Sequence, residues 1–278
     1  MKDMSDNSFI DKIDFSKSNH YTLSIRLDTD GFSFSIYNPL NDTSLKYFPQ
    51  EINTSLPMPV NVRNILEKTE SFHHTYKEVN ILQISNRYTL IPFDLFDEDH
   101  LENFFHYNFT QKENEKVCYN LLRRTNIILA FEINQLIYKD LTERFPSCKF
   151  HTQGSVLVEH FATKSRFGNS KKMYIYVRKN DIDIFCYERS NVILANTFHC
   201  KNTEDIIYYS LYIWKQLGFN QEKDELHLCS LKEDKESLVN KLKEFIRQVF
   251  IINSKAELYI SQQEKIPYDM QILSLKEV

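Results

Sequence analysis

Apolar and polar side chains alternate along two runs near the start of the chain. Leu23, Ile25 and Leu27 are separated by Ser24 and Arg26, and after a polar turn Phe32, Phe34 and Ile36 are separated by Ser33 and Ser35. A period of two is the mark of a strand with one buried face, so the pair predicts an antiparallel hairpin. Thr29 and Asp30 at the centre, with Gly31 behind them, predict a type I turn closed by a left-handed glycine. A third strand is expected near 44–48, after the turn-forming run Asn-Pro-Leu-Asn-Asp. The same pattern returns from Met173 to Phe198. Sliding the first hairpin by 150 positions without gaps brings Ile25 onto Ile175, Tyr37 onto Tyr187, Asn41 onto Asn191 and Phe48 onto Phe198. Agreement in register and turn placement points to an internal duplication.

The elements after each meander support that reading. In the second half Asn202 can cap a helix bearing Ile206, Ile207, Leu211, Trp214 and Leu217, stopped by Gly218. Next come a strand, Glu225 to Ser230, a helix carrying Leu238, Leu242, Phe245, Ile246 and Val249, and a last strand or two within 250–260. The first half repeats this order with insertions. Helices are predicted over 62–71, 98–106, 134–144 and 155–164, with strands in Val-Asn-Ile-Leu-Gln-Ile-Ser, Arg-Tyr-Thr-Leu-Ile-Pro-Phe, Lys-Val-Cys-Tyr-Asn-Leu-Leu, Asn-Ile-Ile-Leu-Ala-Phe-Glu-Ile and Cys-Lys-Phe-His-Thr-Gln. The polar break from Lys164 to Lys172 is the expected boundary. It separates an N-terminal arm (1–20) and a first unit (21–166) from a second unit (167–278).

Composition narrows the function. At 42% hydrophobic and 14% aromatic residues, the chain is globular rather than disordered. A formal charge of -4 gives no overall attraction to nucleic acid, and no RNA or DNA partner is expected. The local basic run, Lys164, Arg166, Lys171, Lys172, Arg178 and Lys179, reads as a solvated linker and hairpin tip. No apolar segment has the length of a membrane span, and the polar start is unlike a secretory signal. Five cysteines, odd in number and without a Cys-x-x-Cys pair, suit free thiols in the cytoplasm. Only four glycines occur, far below the average of about 7%. Loops that wrap phosphate use glycine for positive φ and close backbone approach, so the chain has few places for one.

Two mixed α/β halves, each opening on a three-stranded meander, resemble the duplicated ribonuclease H-like fold of the actin-like ATPase superfamily, which includes actin, sugar kinases, Hsp70 and pilus-assembly ATPase-like proteins. The chain is most similar to a bacterial family of unknown function found in Bacteroidetes, domain of unknown function 3822. The resemblance covers about Tyr21 to Leu275 and implies nucleotide loops at three places. The first phosphate loop matches Asp28, Thr29 and Gly31, in a turn shorter than a phosphate cradle. The second matches the run from Arg178 to Phe185, with Asp181 and Asp183 but no glycine. The adenosine motif falls on Leu-His-Leu-Cys-Ser-Leu-Lys-Glu-Asp, which offers Ser230 and again no glycine.

Asp28, Asp30, Asp181 and Asp183 read more simply as turn and outward-facing strand residues. His199, Cys200, His227 and Cys229 are the closest pairings of zinc-type ligands, but their spacing does not converge four donors, and they are read as core cysteines and strand-edge histidines. His73 and His74 are expected in solvent, and Tyr208, Tyr209, Tyr212 and Trp214 as core packing of one helix. No metal, cofactor or catalytic residue is expected. The leading expectation is a cytoplasmic, non-catalytic protein-interaction scaffold whose two-lobed cleft takes a protein or peptide partner, as the pilus-assembly relatives imply. The alternative is an ATP-binding switch or ATPase with a reduced site at Asp28, Thr29, Gly31, Asp181, Asp183 and Ser230. Ribonuclease H-like RNA cleavage by clustered carboxylates is a third and less favoured reading, given the negative charge.

Overall fold

A computed structural model describes residues 13–29, 31–39, 44–230, 235–252 and 266–275. Strands β1 (Thr22–Asp28), β2 (Gly31–Asn38) and β3 (Ser44–Gln50) form an antiparallel meander. Helix α1 (Met58–Lys68) leads to β4 (Glu78–Gln83), parallel to β1. An insertion then builds β5 (Tyr88–Pro92), the short helix α2 (Leu101–His106), β6 (Glu115–Leu122) and β7 (Ile127–Asn134), forming a separate antiparallel sheet in the order β5-β7-β6. Helix α3 (Gln135–Arg144) returns the chain to β8 (Lys149–Thr152), beside β4. After α4 (Gln153–Lys164), the second half runs β9 (Lys172–Val177), β10 (Asp181–Glu188), β11 (Asn191–His199), α5 (Thr203–Gln216), β12 (Glu225–Ser230), α6 (Lys235–Lys243) and β13 (Gln248–Ile251). Helix α7 (Tyr268–Leu275) is the last element described.

The two large sheets have one topology. Their orders, β3-β2-β1-β4-β8 and β11-β10-β9-β12-β13, both read third, second, first, fourth, fifth. The duplication holds in register through the hairpins: Ile25 pairs with Phe34, and 150 residues on Ile175 pairs with Ile184. It slips at the third strand. Phe34 faces Phe48, but Ile184 faces Asn196 and Phe198 faces Ile182, a displacement of two. The cause is the turn. Arg189 and Ser190, both at positive φ, make a two-residue connection where five residues separate Asn38 from Ser44, and a bulge beside Tyr187 restores one position. The gapless match of Asn41 to Asn191 and Phe48 to Phe198 is therefore a correspondence of sequence, not of strand pairing.

Several local expectations are corrected. Gly31 opens β2 without a positive φ, so the first hairpin lacks the left-handed glycine, and Asp30 lies outside the described residues. Helix α1 begins at Met58 rather than 62, because Pro57 and Pro59 suit a first turn. Helix α4 begins at Gln153, where Thr152 and Ser155 cap one another reciprocally. Helix α6 ends at Lys243, so Val249 belongs to β13. The strand anticipated over 250–260 falls largely outside the described residues.

The hairpins are not half-buried. Ser24, Ser33 and Ser35 on β1 and β2, like Asp183, Phe185 and Tyr187 on β10, are buried alongside their apolar neighbours. Helices α4 and α7 cover the faces expected in water, α4 touching β10, β11, β6, β8 and α7, and α7 touching β1, β2 and β4. A shared core results. Phe161 of α4 stacks on Tyr174 of β9 at 4.2 Å and packs near Phe185 of β10 and Tyr268 of α7. Separate apolar clusters fill the outer side of each large sheet, and a smaller one lies under β5-β7-β6. Tyr208 and Tyr212 depart from the core reading of α5, being 61% and 47% exposed, while Trp214 is buried. His74 stacks on Phe15 at 4.4 Å instead of facing solvent.

Candidate functional site between the two lobes

The tips of the two repeated hairpins meet. A cavity of about 310 Å³ is lined by Arg26 and Asp28 from β1, Tyr176, Val177, Arg178 and Lys179 from the β9–β10 hairpin, and Pro267. These positions are repeats of one another, since Arg26 and Tyr176, or Asp28 and Arg178, stand 150 residues apart. On the other side of Asp28 a cleft of about 400 Å³ opens between the first large sheet and the small sheet. Leu27, Ile84, Ile133 and Ile137 line it, with Asn86 and Asn114 among its polar residues.

Arg178 organises the centre. Its Nε donates to Asp183 Oδ2 at 2.8 Å, and Nη2 donates to Asp183 Oδ1 at 3.3 Å and to Asn86 Oδ1 at 2.7 Å. Asp181 Oδ2 lies 3.7 Å from Nη1. Burial disfavours the guanidinium charge, but Asp183, Asp181 and Asp28 outweigh it and raise the pKa. Asp183 has no exposed side chain and is saturated. It also accepts from Thr197 Oγ1 and, at 3.4 Å, from Gln153 Nε2. Gln153, at the start of α4, reaches back to the first lobe, donating to Ser85 O at 2.6 Å and accepting from Ser85 N at 3.0 Å. A continuous polar seam thus runs from β4 through α4 to β10 and β11.

A second arginine closes the seam at the other end. Arg26 donates through Nη1 to Asp28 Oδ2 at 3.0 Å and through Nε and Nη2 to Asp269 of α7 at 3.2 Å. Asp269 is fully buried. Ser35 and Ser274 hydroxyls at 2.9 Å, and His160 Nε2 with Tyr268 Oη at 2.7 Å, fix the same helix.

Each candidate from the sequence has a definite place. Asp28 lines both cavities, held by Arg26 and by the Thr29 N–H at 2.8 Å. Thr29 is the exposed tip and Gly31 pairs across the turn with Asp28. Asp181 faces His199 Nδ1 at 3.2 Å and Arg178. Asp183 is a buried strut rather than an outward residue. Ser230 is a buried strand end paired with Val177, and the residues that follow it, 231–234, lie outside the described residues. The structure brings Asp28, Asp181 and Asp183 together around the Arg178 guanidinium, and among the described residues no group of three or more His, Cys, Asp or Glu is placed to hold a metal ion. The basic run is dispersed, with Lys172 3.5 Å from Glu225 and Arg178 buried.

The organising residues are absent from the candidates that sequence reasoning supplies. Arg178 reads as part of a solvated run, although the 150-residue slide sets it where Asp28 stands. Arg26 carries a signal of its own, as a charge inside an otherwise apolar and hydroxyl strand. Gln153, Thr197 and Asp269 leave no mark, since their partners are distant in sequence.

Comparison with solved structures places this geometry among known folds. A Bacteroides thetaiotaomicron protein with actin-like ATPase fold and unknown function is 49% identical, with a TM-score of 0.84 over 95% of this chain and 99% of that one. The PilM-PilN type IV pilus biogenesis complex has a TM-score of 0.52 at 10% identity, over 91% of this chain and 97% of that one. A comparison with curated proteins returns no match. The family profile described as Protein of unknown function (DUF3822) matches residues 10–249. With two sheets of shared topology, two lobes joined through α4 and α7, and this match over most of its length, the chain belongs to the DUF3822 family and has the actin-like ATPase fold.

Proposed function

We propose that the protein is a cytoplasmic, non-catalytic binding module whose cleft takes a segment of a partner protein. The carrying observation is Arg178. A protein cation, paired with Asp183 and joined to Asn86, occupies the centre between the hairpin tips, where the alternative reading would gather carboxylates around phosphate and metal. The 400 Å³ cleft beside it sets the apolar residues Leu27, Ile84, Ile133 and Ile137 among charged and amide side chains such as Lys112, Glu113 and Asn114, a composition suited to an extended peptide with one or two apolar anchors. PilM, of the same fold, is found in a complex with PilN, and that supports a protein partner here. The free state of all five cysteines supports a reducing compartment.

Titration calorimetry with ATP and magnesium tests the reading. No heat, and no thermal shift at millimolar nucleotide, is the expected result. Micromolar binding weakened by Asp28→Ala or Asp181→Ala would overturn it in favour of a nucleotide-dependent switch.

A further inference from the structure

Among the described residues the sheet edges are guarded, with one exception. At the rim of the first large sheet, β3 carries Lys46 and Pro49, and β8 is four residues long and begins with Lys149. β13 also has four residues, β5 ends in Pro92, and β6 begins with Glu115 and Lys116. Charges, prolines and brevity are the usual means of preventing strand addition. β11, the outer strand of the second large sheet, has nine residues and, from Asn191 to Phe198, no charge and no proline. Its bulge at Ile193 leaves Leu194 to His199 as a regular edge.

The outward groups can be identified. Cys200 N–H donates to Asn180 O at 2.8 Å, so by alternation residues 194, 196 and 198 bond to β10, and the backbone groups of Ala195, Thr197 and His199 face away from the sheet, the Thr197 N–H donating to the Asn196 side-chain Oδ1 at 2.8 Å, a bond that Asn196 gives up when a strand is added. Among the described residues no strand pairs with them. An aromatic stripe adjoins this edge. Phe198 stacks on Tyr209 of α5 at 4.7 Å, Tyr209 meets Tyr208 at 5.3 Å, and Tyr208 stacks with Tyr212 at 6.0 Å, the last two largely exposed.

We infer that β11 pairs with β11 of a second copy of this chain, antiparallel about a two-fold axis at Asn196. That register sets Leu194 against Phe198 of the other copy and Ala195 against Thr197, joining apolar to apolar on the α5 side. It also brings the two α5 helices side by side in opposite directions. The helix has Glu204 and Asp205 in its first turn and Lys215 in its last, so each acidic end meets a basic one, although Glu204 also reaches Lys241 of its own chain. Self-complementary charge favours a second copy over an unrelated strand.

Sedimentation of the full chain at micromolar concentrations should give twice 33.3 kDa. Asn196→Lys, at an exposed position, should return it to a monomer with unchanged circular dichroism and melting temperature. Asn196→Cys should cross-link to itself under mild oxidation, because directly opposed residues of a non-hydrogen-bonded pair lie within disulfide reach. A monomeric wild type would overturn the inference. So would a dimer that survives Asn196→Lys, or one that fails to cross-link at position 196.

Discussion

Arg178 holds in the second hairpin the place that Asp28 holds in the first, and the two line one cavity between the lobes. Each sits one position before the turn, Asp28 pairing with Gly31 and Arg178 bonding through its N–H to Asp181 O at 2.9 Å. The duplication thus retains its backbone while reversing charge at the equivalent site. Opposite charges across the junction attract the hairpin tips, whereas two aspartates would repel unless a cation lay between them.

Removing one partner of the central pair should be costly. Asp183→Ala leaves the Arg178 guanidinium buried without its main counter-charge, and a loss of about 3–5 kcal/mol is expected from chemical denaturation. The double variant with Arg178→Met should recover a large part of it. Equal losses in the single and double variants would show that the pair is not coupled.

Asp269→Asn tests the anchoring of α7. Arg26 would keep Asp28 but lose its fully buried partner, and the last helix should open more often than the rest of the fold. Hydrogen exchange over 268–275 should speed by at least about tenfold, a change of about 1.4 kcal/mol in local opening, while β9 and β10 stay protected. Uniform acceleration across all strands would argue that α7 opens only with global unfolding.

His151 gives a pH signature. Burial, with help from Lys149, pushes its pKa down to about 4, and its Nε2 lies 3.3 Å from Asn80 Oδ1. The folded state therefore keeps the ring neutral while the unfolded chain takes up a proton below about pH 6.5. Its contribution is complete above about pH 6.5 and is lost as pH falls toward 4, by about 3 kcal/mol in total. The stability difference between wild type and His151→Gln, measured from about pH 7 to pH 4, should change by that amount. A difference independent of pH would contradict it.

Arg87, just before β5, ties the inserted small sheet together, with Nη1 bonded to Glu115 of β6 at 2.9 Å and to Glu132 of β7, and its guanidinium over the rings of Phe105 and Phe109. Burial and the neighbouring Glu115 push the Glu132 carboxyl up. Arg87→Gln should cost about 2 kcal/mol, less than a fully buried pair because the site is partly open. The cost should shrink on acidification from about pH 7 to pH 5, as the facing carboxylates share a proton. A melting-temperature difference that grows on acidification would refute this account.

The sequence made the architecture legible where local rules operate. Alternation located β1, β2, β9 and β10, the Asn202 cap marked the start of α5 and Gly218 its end, and the 150-residue repeat forecast two sheets of one topology. It could not show that Ser24, Ser35 and Asp183 are buried, since polar residues at alternate positions look the same whether they face water or a covering helix. The slip of β11 was hidden because Phe48 and Phe198 are both apolar strand residues and only the turn length distinguishes them. At the site, carboxylates were legible by residue type, but the arginines that neutralise them were not, because Arg26 meets Asp269 across 243 residues.

Helix α4 follows the first lobe in sequence yet has buried residues around most of its circumference, dried by both lobes at once. The halves therefore differ from beads on a string: each carries a wall that belongs to the other. A protease cut in the Gly168 segment should release nothing, the nicked chain eluting and melting as one body. Expressed apart, the two pieces should each be insoluble, and folded together they should reconstitute the whole.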